Sequence, residues 1–396
     1  MTDVIDVAAD HPFGLSALPY GSFSVGGGPR RVGVRFGGYV LDVAALADRL
    51  RWAHADLFAG PVLNPFMAAG PDAWATVRAD LRGWLAADPD PDLFTPLADV
   101  ALHLPVEVAD YVDFYASEQH ATNAGRIFRP SGEALLPNWK HLPVGYHGRA
   151  GTVVVSGTDV TRPVGQFRDP EVTFGPSRRL DFEAEVGFVV GVPTAMGDRV
   201  AVADFERHVF GVVLVNDWSA RDIQAWETVP LGPLLGKSFA TSMSAWVLPL
   251  AALDHARVAP PARDVPVLPY LAGDDRAGLD IAIEVTIGGH VVSRPPFATM
   301  YWTAAQQLAH LTVNGASLRT GDLFASGTVS GPDRDQWGSL LELSWNGRDP
   351  VTLADGATRT FLADGDEVVM TATAPGPGGV PIALGEVRGT VRPAQV

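Results

Sequence analysis

The stretch LDFEAEVGFVV, residues 180–190, places two carboxylates in an otherwise apolar segment that alternates like a β-strand. Because successive side chains of a strand point to opposite faces, Glu183 and Glu185 share one face, roughly 6.5–7 Å apart along the strand. On a face turned to solvent, such a pair needs no explanation. Among neighbours this apolar, uncompensated negative charge is costly, so a sheet built on this strand needs a cation beside the two glutamates or protons on them.

Glycine and proline interrupt the rest of the chain often enough to limit long helices. There are 42 glycines and 32 prolines, which favours many turns and short strands. Residues 31–43 alternate on both sides of Gly37 and Gly38, which predicts a two-residue hairpin. Residues 71–86 instead carry apolar side chains at helical spacing behind Pro71. We therefore predict a mainly β (α+β) fold.

Length and charge narrow the class of protein. A chain of 396 residues is too long for one compact core, and we place a first domain at residues 1–105 and a larger one at residues 106–396. With a net charge of −16, the chain lacks the excess of basic residues that is typical of nucleic-acid-binding proteins. The absence of cysteine excludes disulfides and a thiolate nucleophile. Residues 1–10 do not resemble a signal peptide and no apolar run is long enough to span a membrane, so we expect a cytoplasmic location.

Residues 110–129, DYVDFYASEQHATNAGRIFR, concentrate acid, phenol, imidazole and guanidinium groups. If this segment is helical, Asp113 and His120 are seven residues apart and leave from one face. The alternative is that Asp113 only caps a helix that carries His120. An imidazole near its ordinary pKa suits a general base, although a lone histidine is more often structural.

Four acidic residues lack an evident salt-bridge partner nearby in the sequence: Asp113, Glu183, Glu185 and Asp217. If the fold brings them together, they form an all-oxygen site suited to Mg²⁺ or Ca²⁺. The spacing joins the two glutamates only. It leaves open whether Asp113 and Asp217, the second of which follows a buried strand, join them.

Further polar residues are candidates for catalytic and binding roles. Glu342 lies in segment 339–345, which reads as a strand, and could fix the tautomer of His120. Donors to a developing oxyanion and partners for a substrate carboxylate are Arg221, Gln224, Lys237, Arg129, Tyr115 and Tyr146. The first two lie three apart on a helix predicted to begin at Ser219. Each could instead have an ordinary surface or capping role.

Several longer motifs resemble the fumarylacetoacetase family, and they occur in the family's order. They are DFYASEQHATN (113–123), LPNWKHLPVGYHGRA (136–150), NDWSARDIQAWE (216–227), PLGPLLGKSF (230–239), GDLFASGT (321–328) and LELSW (341–345). LPYGSF (18–23) and NPFMA (64–68) extend the resemblance over nearly the whole chain. The resemblance implies a small N-terminal SH3-like barrel, a C-terminal β-roll that carries the site, and a homodimer.

The resemblance also implies roles for single residues. The metal ligands would be Asp113, Glu183, Glu185 and Asp217, with Lys237 and Thr241 near a second cation site. His120 would be the base, oriented by Glu342, and Arg221, Gln224 and Lys237 would stabilise the oxyanion. The substrate contacts would be Tyr115, Arg129, Tyr146, Gln224 and Thr328. The chain departs from the pattern at Thr228, where the family usually has a tyrosine after Trp-Glu.

The activity implied is metal-dependent hydrolysis of the carbon–carbon bond of 4-fumarylacetoacetate to fumarate and acetoacetate, the last step of tyrosine and phenylalanine catabolism. The partner would be this small diketo acid, with no nucleic acid or membrane involved. One alternative is a related diketo-acid enzyme such as an acylpyruvase. Another is a non-catalytic metal-binding β protein, which would need the ligands but not the pair His120 and Glu342.

Overall fold

The computed structural model describes residues 5–87, 89–273 and 276–395, so the first four residues of segment 1–10 lie outside the description. The strands are β1 (Tyr20–Val25), β2 (Arg31–Phe36), β3 (Tyr39–Asp42), β4 (Phe94–Pro96), β5 (Val100–His103), β6 (Tyr111–Phe114), β7 (Gly145–His147), β8 (Val153–Val155), β9 (Val160–Thr161), β10 (Val164–Arg168), β11 (Val172–Pro176), β12 (Leu180–Asp181), β13 (Ala184–Val190), β14 (Val209–Asp217), β15 (Ser219–Ala220), β16 (Thr241–Met243), β17 (Trp246–Pro249), β18 (Arg257–Val258), β19 (Gly278–Leu279), β20 (Ala282–Ile287), β21 (His290–Ser293), β22 (Leu323–Ala325), β23 (Val351–Thr352), β24 (Thr358–Arg359), β25 (Glu367–Pro375) and β26 (Pro381–Arg392). The α-helices are α1 (Val43–Leu50), α2 (Asn64–Ala68), α3 (Pro71–Ala86), α4 (Glu118–Phe128), α5 (Phe205–His208), α6 (Arg221–Glu227), α7 (Ala304–Thr312) and α8 (Leu340–Leu343). The mainly β, α+β class predicted from the sequence is confirmed.

A large sheet runs through the molecule in the order β4-β3-β2-β1-β17-β14-β13-β22-β6-β7, with β5, β8 and β16 attached beside it. The N-terminal strands join it where β1 pairs antiparallel with β17, Tyr20 opposite Val247. Among the described residues, β4 pairs with β3 and β5 with β1, so β1 to β5 do not close into a barrel. The closed SH3-like barrel that the family resemblance implied is therefore not confirmed.

A second sheet, β21-β20-β25-β26-β9, lies against the first where β26 contacts β14, β16 and β17. The main core fills the space between them with side chains such as Val212, Leu214, Leu384 and Val387. Both faces of β14 are covered, which explains its continuous apolar run before Asp217.

Two local predictions are confirmed. The strands β2 and β3 form a hairpin, and Gly37 between them has a φ of 59°, a conformation that glycine adopts without strain. The helix α3 spans Pro71–Ala86 and begins with its proline, where the missing N–H costs nothing. Among the described residues, no helix is both long and apolar enough to cross a membrane.

Three local predictions are wrong. Asp113 and His120 do not share a helix, because Asp113 lies in β6 and Ser117, not Asp113, caps α4. Glu342 lies in the short helix α8 and not in a strand, since the Ser339 side chain accepts from the Glu342 N–H and turns the chain. The helix α6 begins at Arg221 without a side-chain cap, so Ser219 does not start it.

Strand pairing positions the candidate residues. The antiparallel pair β13 and β14 sets Glu185 opposite Val215, and β14 pairs with β16 so that Asp217 faces Thr241. The strand β6 runs parallel to β22 and antiparallel to β7, which sets Asp113 beside Tyr146. Residues distant in sequence thus meet at one end of the large sheet.

Candidate active site

Four buried carboxylates meet at the end of the large sheet. Asp113, Glu183, Glu185 and Asp217 each offer a ligand oxygen, and these oxygens lie within 4.8 Å of one another. Glu183 directly precedes β13 and Glu185 lies in it, and the aspartates come from β6 and the end of β14. The fold therefore joins all four residues, which the sequence spacing alone left open.

The cluster fits a divalent cation. Asp113 Oδ1 and Glu185 Oε1 are buried and have no hydrogen-bond partner among the described residues. Burial and the neighbouring carboxylates raise the pKa of both residues well above the ordinary range. Buried carboxylate oxygens that lack protein donors are the ligands that Mg²⁺ and Ca²⁺ prefer.

Lys237 supplies one positive charge to the cluster. Its Nζ lies 2.5 Å from Glu183 Oε2 and 2.8 Å from Asp217 Oδ2. Burial alone would lower the pKa of Lys237, but Asp217 and Glu183 raise it above its ordinary value, so the amine is protonated. Asp217 also accepts from the hydroxyls of Tyr146 at 3.0 Å and Thr241 at 3.1 Å.

Arg221 supplies a second positive charge from the first turn of α6. Its Nη1 lies 2.6 Å from Glu183 Oε1 and donates to Gln224 Oε1 at 3.2 Å. Burial would raise the pKa of Glu183, but Lys237 and Arg221 hold it below the ordinary range. Glu183 is therefore ionised between two fixed cations.

A histidine–glutamate pair lies beside the cluster. His120 Nδ1 is 2.7 Å from Glu342 Oε2, and Asn123 donates to Glu342 Oε1 at 2.9 Å. The hydroxyls of Ser330 and Ser339 donate to Oε2, each at 2.9 Å. Burial would raise the pKa of Glu342, yet His120 and the hydrogen bonds from Asn123 and Ser339 lower it. An ionised Glu342 accepts from Nδ1, so Nδ1 carries a proton and Nε2 is the ring nitrogen outside this pair.

The predicted substrate contacts lie at different distances from the cluster. The Tyr115 ring meets His120 edge to face at 5.3 Å, and the Thr328 hydroxyl is buried without a partner among the described residues. Tyr146 and Gln224 bond to Asp217 and Arg221, as given above. Arg129 is exposed at the end of α4 and donates to the carbonyls of Glu133 and Ala134. The structure thus groups Tyr115, Tyr146 and Gln224 with the cluster or its partners. Thr328 directly follows Gly327, whose N–H donates to Glu185 at 3.2 Å, and Arg129 lies apart.

A cavity of about 130 Å³ opens onto Asp217, Lys237 and Tyr146. Arg149 and His147 also line it, so the wall beside the acidic cluster carries a further cation and an imidazole. The phenol of Tyr111 borders the same cavity, and its hydroxyl is buried without a partner in the described chain. A small polar molecule can therefore approach the carboxylates from this side.

Sequence reasoning missed several polar residues of the site. They are Asp181, Asn123, Ser330, Ser339 and Tyr111. Asp181 falls on the same alternation as Glu183 and Glu185, and Asn123 follows His120 by one helical turn, so both signals were present. The Ser339 and Glu342 spacing matches a capping box, which also predicts a helix there.

A buried carboxylate cluster beside a carboxylate-held histidine, on a mainly β fold, defines a site suited to metal-assisted hydrolysis. Comparison with known families agrees with this class. The family described as Fumarylacetoacetase N-terminal matches residues 16–105, and the family described as Fumarylacetoacetate (FAA) hydrolase C-terminal matches residues 110–392. The chain belongs to the fumarylacetoacetase family.

Curated relatives match over nearly their whole length. The fumarylacetoacetases of Bos taurus and Homo sapiens are each 46% identical to this chain, with 98% of both chains covered. The fumarylacetoacetase of Caenorhabditis elegans is also 46% identical, with 100% of both chains covered.

Solved structures share the fold at lower identity. A fumarylacetoacetate hydrolase from Exiguobacterium antarcticum has a TM-score of 0.57 at 17% identity and covers 96% of this chain and 100% of its own. A maleylpyruvate hydrolase from Sphingobium sp. SYK-6, in complex with manganese (II) ion and pyruvate, has a TM-score of 0.55 at 14% identity, with the same coverage. At these identities the likeness extends to the fold alone.

Proposed function

We propose that this protein hydrolyses the carbon–carbon bond of 4-fumarylacetoacetate to give fumarate and acetoacetate, the last step of tyrosine and phenylalanine catabolism. The observation that carries the proposal is the pairing of His120 with Glu342 beside four buried carboxylates. A metal-binding scaffold needs the ligands but has no use for an oriented base. The 46% identity to named fumarylacetoacetases over 98% of the chain supports the choice of substrate.

Asp113, Glu183, Glu185 and Asp217 would hold a divalent cation, Mg²⁺ or Ca²⁺. When bound, such an ion polarises the diketone oxygens and offsets the negative charge of the leaving carbon. Lys237 and Thr241 remain candidates for a second cation site. The Lys237 ammonium, 2.8 Å from Asp217, already contributes positive charge there.

His120 would act as the general base. Its Nε2 takes a proton from water, and the water oxygen bonds to the carbonyl carbon of the fumaryl group. The bond between this carbon and the adjacent CH₂ then breaks, and its electron pair leaves with the acetoacetate fragment. The proton on Nε2 finally passes to that carbon, so His120 returns to its neutral form.

Three side chains would stabilise the oxyanion formed by water addition. Lys237 has three N–H donors and directs two of them at Glu183 and Asp217, which leaves one for a substrate oxygen. Gln224 accepts from Arg221 through Oε1, so its amide N–H₂ points away from that contact and can donate to a substrate oxygen. Arg221 assists by fixing Gln224 and by supplying positive charge beside Glu183.

The remaining contacts would hold the substrate. The buried Thr328 hydroxyl lacks a partner among the described residues and suits a polar group of the diketo acid. Tyr115 contacts His120 and Tyr146 donates to Asp217, so each phenol adjoins a residue of the proposed reaction centre. Arg129 would bind the distal carboxylate only if its side chain left the carbonyls of Glu133 and Ala134.

Product analysis in H₂¹⁸O tests the reaction class. With 4-fumarylacetoacetate, we expect fumarate that carries one ¹⁸O atom in the new carboxylate, together with acetoacetate. An acylpyruvate substrate in parallel tests the related diketo-acid activity, because cleavage would release pyruvate. Turnover of the acylpyruvate alone would replace the proposed substrate, and turnover of neither by the folded, metal-loaded protein would overturn hydrolysis.

We also propose a homodimer formed through an apolar surface around α6. The segment after this helix exposes Val229, Leu231, Leu234 and Leu235, and Leu231 is 97% exposed. The strand β10 packs against α6, and its partner β11 exposes Val172 and Phe174, the latter by 70%. A soluble monomer rarely presents so many large apolar side chains in neighbouring segments.

Light scattering coupled to gel filtration tests this interface. We expect the native chain to elute as a dimer and Leu231→Glu to shift it toward a monomer. Met196→Glu, at an 88% exposed methionine outside this surface, is the matched control and should stay dimeric. A native monomer, or a Leu231→Glu dimer as tight as the control, would contradict the proposed surface.

The proposal has three further parts. They are the division into domains at residues 1–105 and 106–396, the SH3-like and β-roll descriptions of these domains, and a cytoplasmic location. Because β1 pairs with β17, we expect a fragment that begins at residue 106 to leave the β17 edge uncovered. Expression of that fragment alone tests the division: a stable, monodisperse product would support an independently folded second domain. An aggregated product would mean that the two parts fold as one unit.

A further inference from the structure

We infer that Asp181 is a positioning residue that fixes the oxyanion side of the site relative to the base side. The inference rests on the proposed function, because it assigns Asp181 a role toward Arg221 and Glu342. Asp181 lies just before the two glutamates of the cluster and is 0% exposed. It does not contribute to the four-carboxylate group, which consists of other residues.

One oxygen of Asp181 binds the oxyanion side. Its Oδ2 accepts from Arg221 Nε at 2.9 Å, and Arg221 Nη2 lies 2.8 Å from the same oxygen. The opposite edge of this guanidinium contacts Glu183 at 2.6 Å and Gln224 at 3.2 Å. Asp181 therefore determines which edge of the guanidinium is left to face the cluster.

The same carboxylate binds the base side. Asp181 Oδ1 accepts from the Leu340 N–H at 2.7 Å, and Oδ2 accepts from the Leu341 N–H at 2.9 Å. These two amides open α8, the helix that carries Glu342. Since Glu342 holds His120 at 2.7 Å, the position of the base depends on where Asp181 holds this first turn.

Asparagine cannot replace this carboxylate in all of its contacts. Both oxygens of Asp181 act as acceptors, whereas an asparagine side chain has one acceptor oxygen and an N–H₂ group that only donates. In Asp181→Asn, the amide N–H₂ must therefore face either the Arg221 guanidinium or the Leu340 N–H. One side of the site loses its support even though the side chain keeps its size.

Asp366 provides a matched control. It is also buried, and it accepts from Arg359 through both oxygens, at 2.7 and 2.8 Å, and from the Ala363 N–H at 2.8 Å. These partners do not include any residue of the proposed site. Asp366→Asn should therefore reproduce the cost of breaking a buried Asp–Arg pair without disturbing catalysis.

The test compares kcat, KM, Mg²⁺ affinity and urea unfolding of the native chain, Asp181→Asn and Asp366→Asn. We expect Asp181→Asn to lower kcat by about 10- to 100-fold with a much smaller change in KM, as disrupted support of reactive groups commonly does. Asp366→Asn should lower the unfolding midpoint while its folded fraction keeps the native kcat. In the Glu342→Gln background, Asp181→Asn should lower kcat by less than it does alone, because the two changes act on one group.

The outcomes separate the inference from the function on which it rests. Native kcat in Asp181→Asn, alongside lowered kcat in Glu342→Gln and Arg221→Gln, would overturn the positioning role alone. Native kcat in Glu342→Gln as well would overturn the proposed mechanism. If Asp181→Asn does not fold, Asp181→Ser, which is smaller and also cannot bridge both sides, is measured in the same way and should show the same loss of kcat.

Discussion

The imidazole of His120 is held at Nδ1 by a carboxylate that also accepts hydrogen bonds from Asn123, Ser330 and Ser339. Four donors on one buried glutamate keep it ionised and prevent the ring from turning. The consequence is an imidazole whose Nδ1 is occupied by Glu342 and whose Nε2 is held in a fixed direction, the geometry that water activation requires. The sequence suggested this pair as one option but could not predict that the two side chains meet, because His120 and Glu342 are far apart in the chain.

Glu342→Gln tests the pair. The substitution keeps the size of the side chain but removes the charge that supports the imidazolium formed during turnover. We expect kcat to fall by about 10²- to 10⁴-fold, the range known for general bases and for the carboxylate of catalytic triads. Calorimetric titration with Mg²⁺ serves as the control and should give near-native affinity, since Glu342 is outside the carboxylate cluster. Native turnover in this variant would remove the pair from the mechanism.

The protons on the cluster give a second residue-scale prediction. Burial and neighbouring carboxylates raise the pKa of Asp113 and Glu185, so the metal-free site retains protons at pH values where ordinary carboxyls have lost them. A cation must displace these protons, and its affinity should therefore increase as the pH rises toward the raised pKa values. Titration of Ca²⁺ in buffers of different ionisation enthalpy measures the release. Affinity that stays constant from about pH 6 to 8, with no proton release, would contradict the raised pKa values.

At the scale of elements, the site is assembled from strand ends and two short helices. Alternation predicted that Glu183 and Glu185 share a face, because that pattern is local. The position of Asp113 in the cluster depends on the parallel pairing of β6 with β22, in which Asp113 lies opposite Ala325. No local sequence pattern reveals this pairing. The sequence of α8 predicted a strand, and this prediction was wrong. A helix of four residues is too short to show helical periodicity in its sequence.

Ser339→Ala tests the short helix. Ser339 caps α8 and also donates to Glu342, so its loss should reduce the free energy of unfolding by about 1 kcal/mol and also lower kcat. Thr303→Ala, at the cap of α7, is the matched control and should lose similar stability without a change in kcat. Urea unfolding and steady-state kinetics give the two quantities. An equal effect of both substitutions on kcat would mean that the Ser339 contact with Glu342 is not catalytic.

At the scale of the whole molecule, one sheet connects the N-terminal strands to the site. The β class, the hairpin and α3 followed from turn residues and periodicity. The open sheet could not be predicted from these local signals, because the pairing of Tyr20 with Val247 joins residues more than half the chain apart. The four-carboxylate cluster is a product of this global topology and concentrates negative charge in the core, where Lys237 and Arg221 form ion pairs with it.

Cation binding should therefore stabilise the entire fold. With free Mg²⁺ or Ca²⁺ at about 100 times its Kd, we expect the free energy of unfolding to rise by about 2.7 kcal/mol. Asp217→Asn should abolish both this cation-dependent gain and turnover, because it removes a ligand from the cluster. Thermal unfolding with added cation or chelator makes the comparison. A native-sized gain in Asp217→Asn would place the bound cation elsewhere.

The most direct test of the account is the loss of the diketo absorbance of 4-fumarylacetoacetate, followed with added Mg²⁺ or Ca²⁺, after chelation, and with His120→Ala. The account predicts rapid loss with cation, little loss after chelation, recovery when cation is restored, and turnover at least about 10²-fold slower in metal-loaded His120→Ala. Equal rates for native protein and His120→Ala, or rates unaffected by chelation, would contradict it.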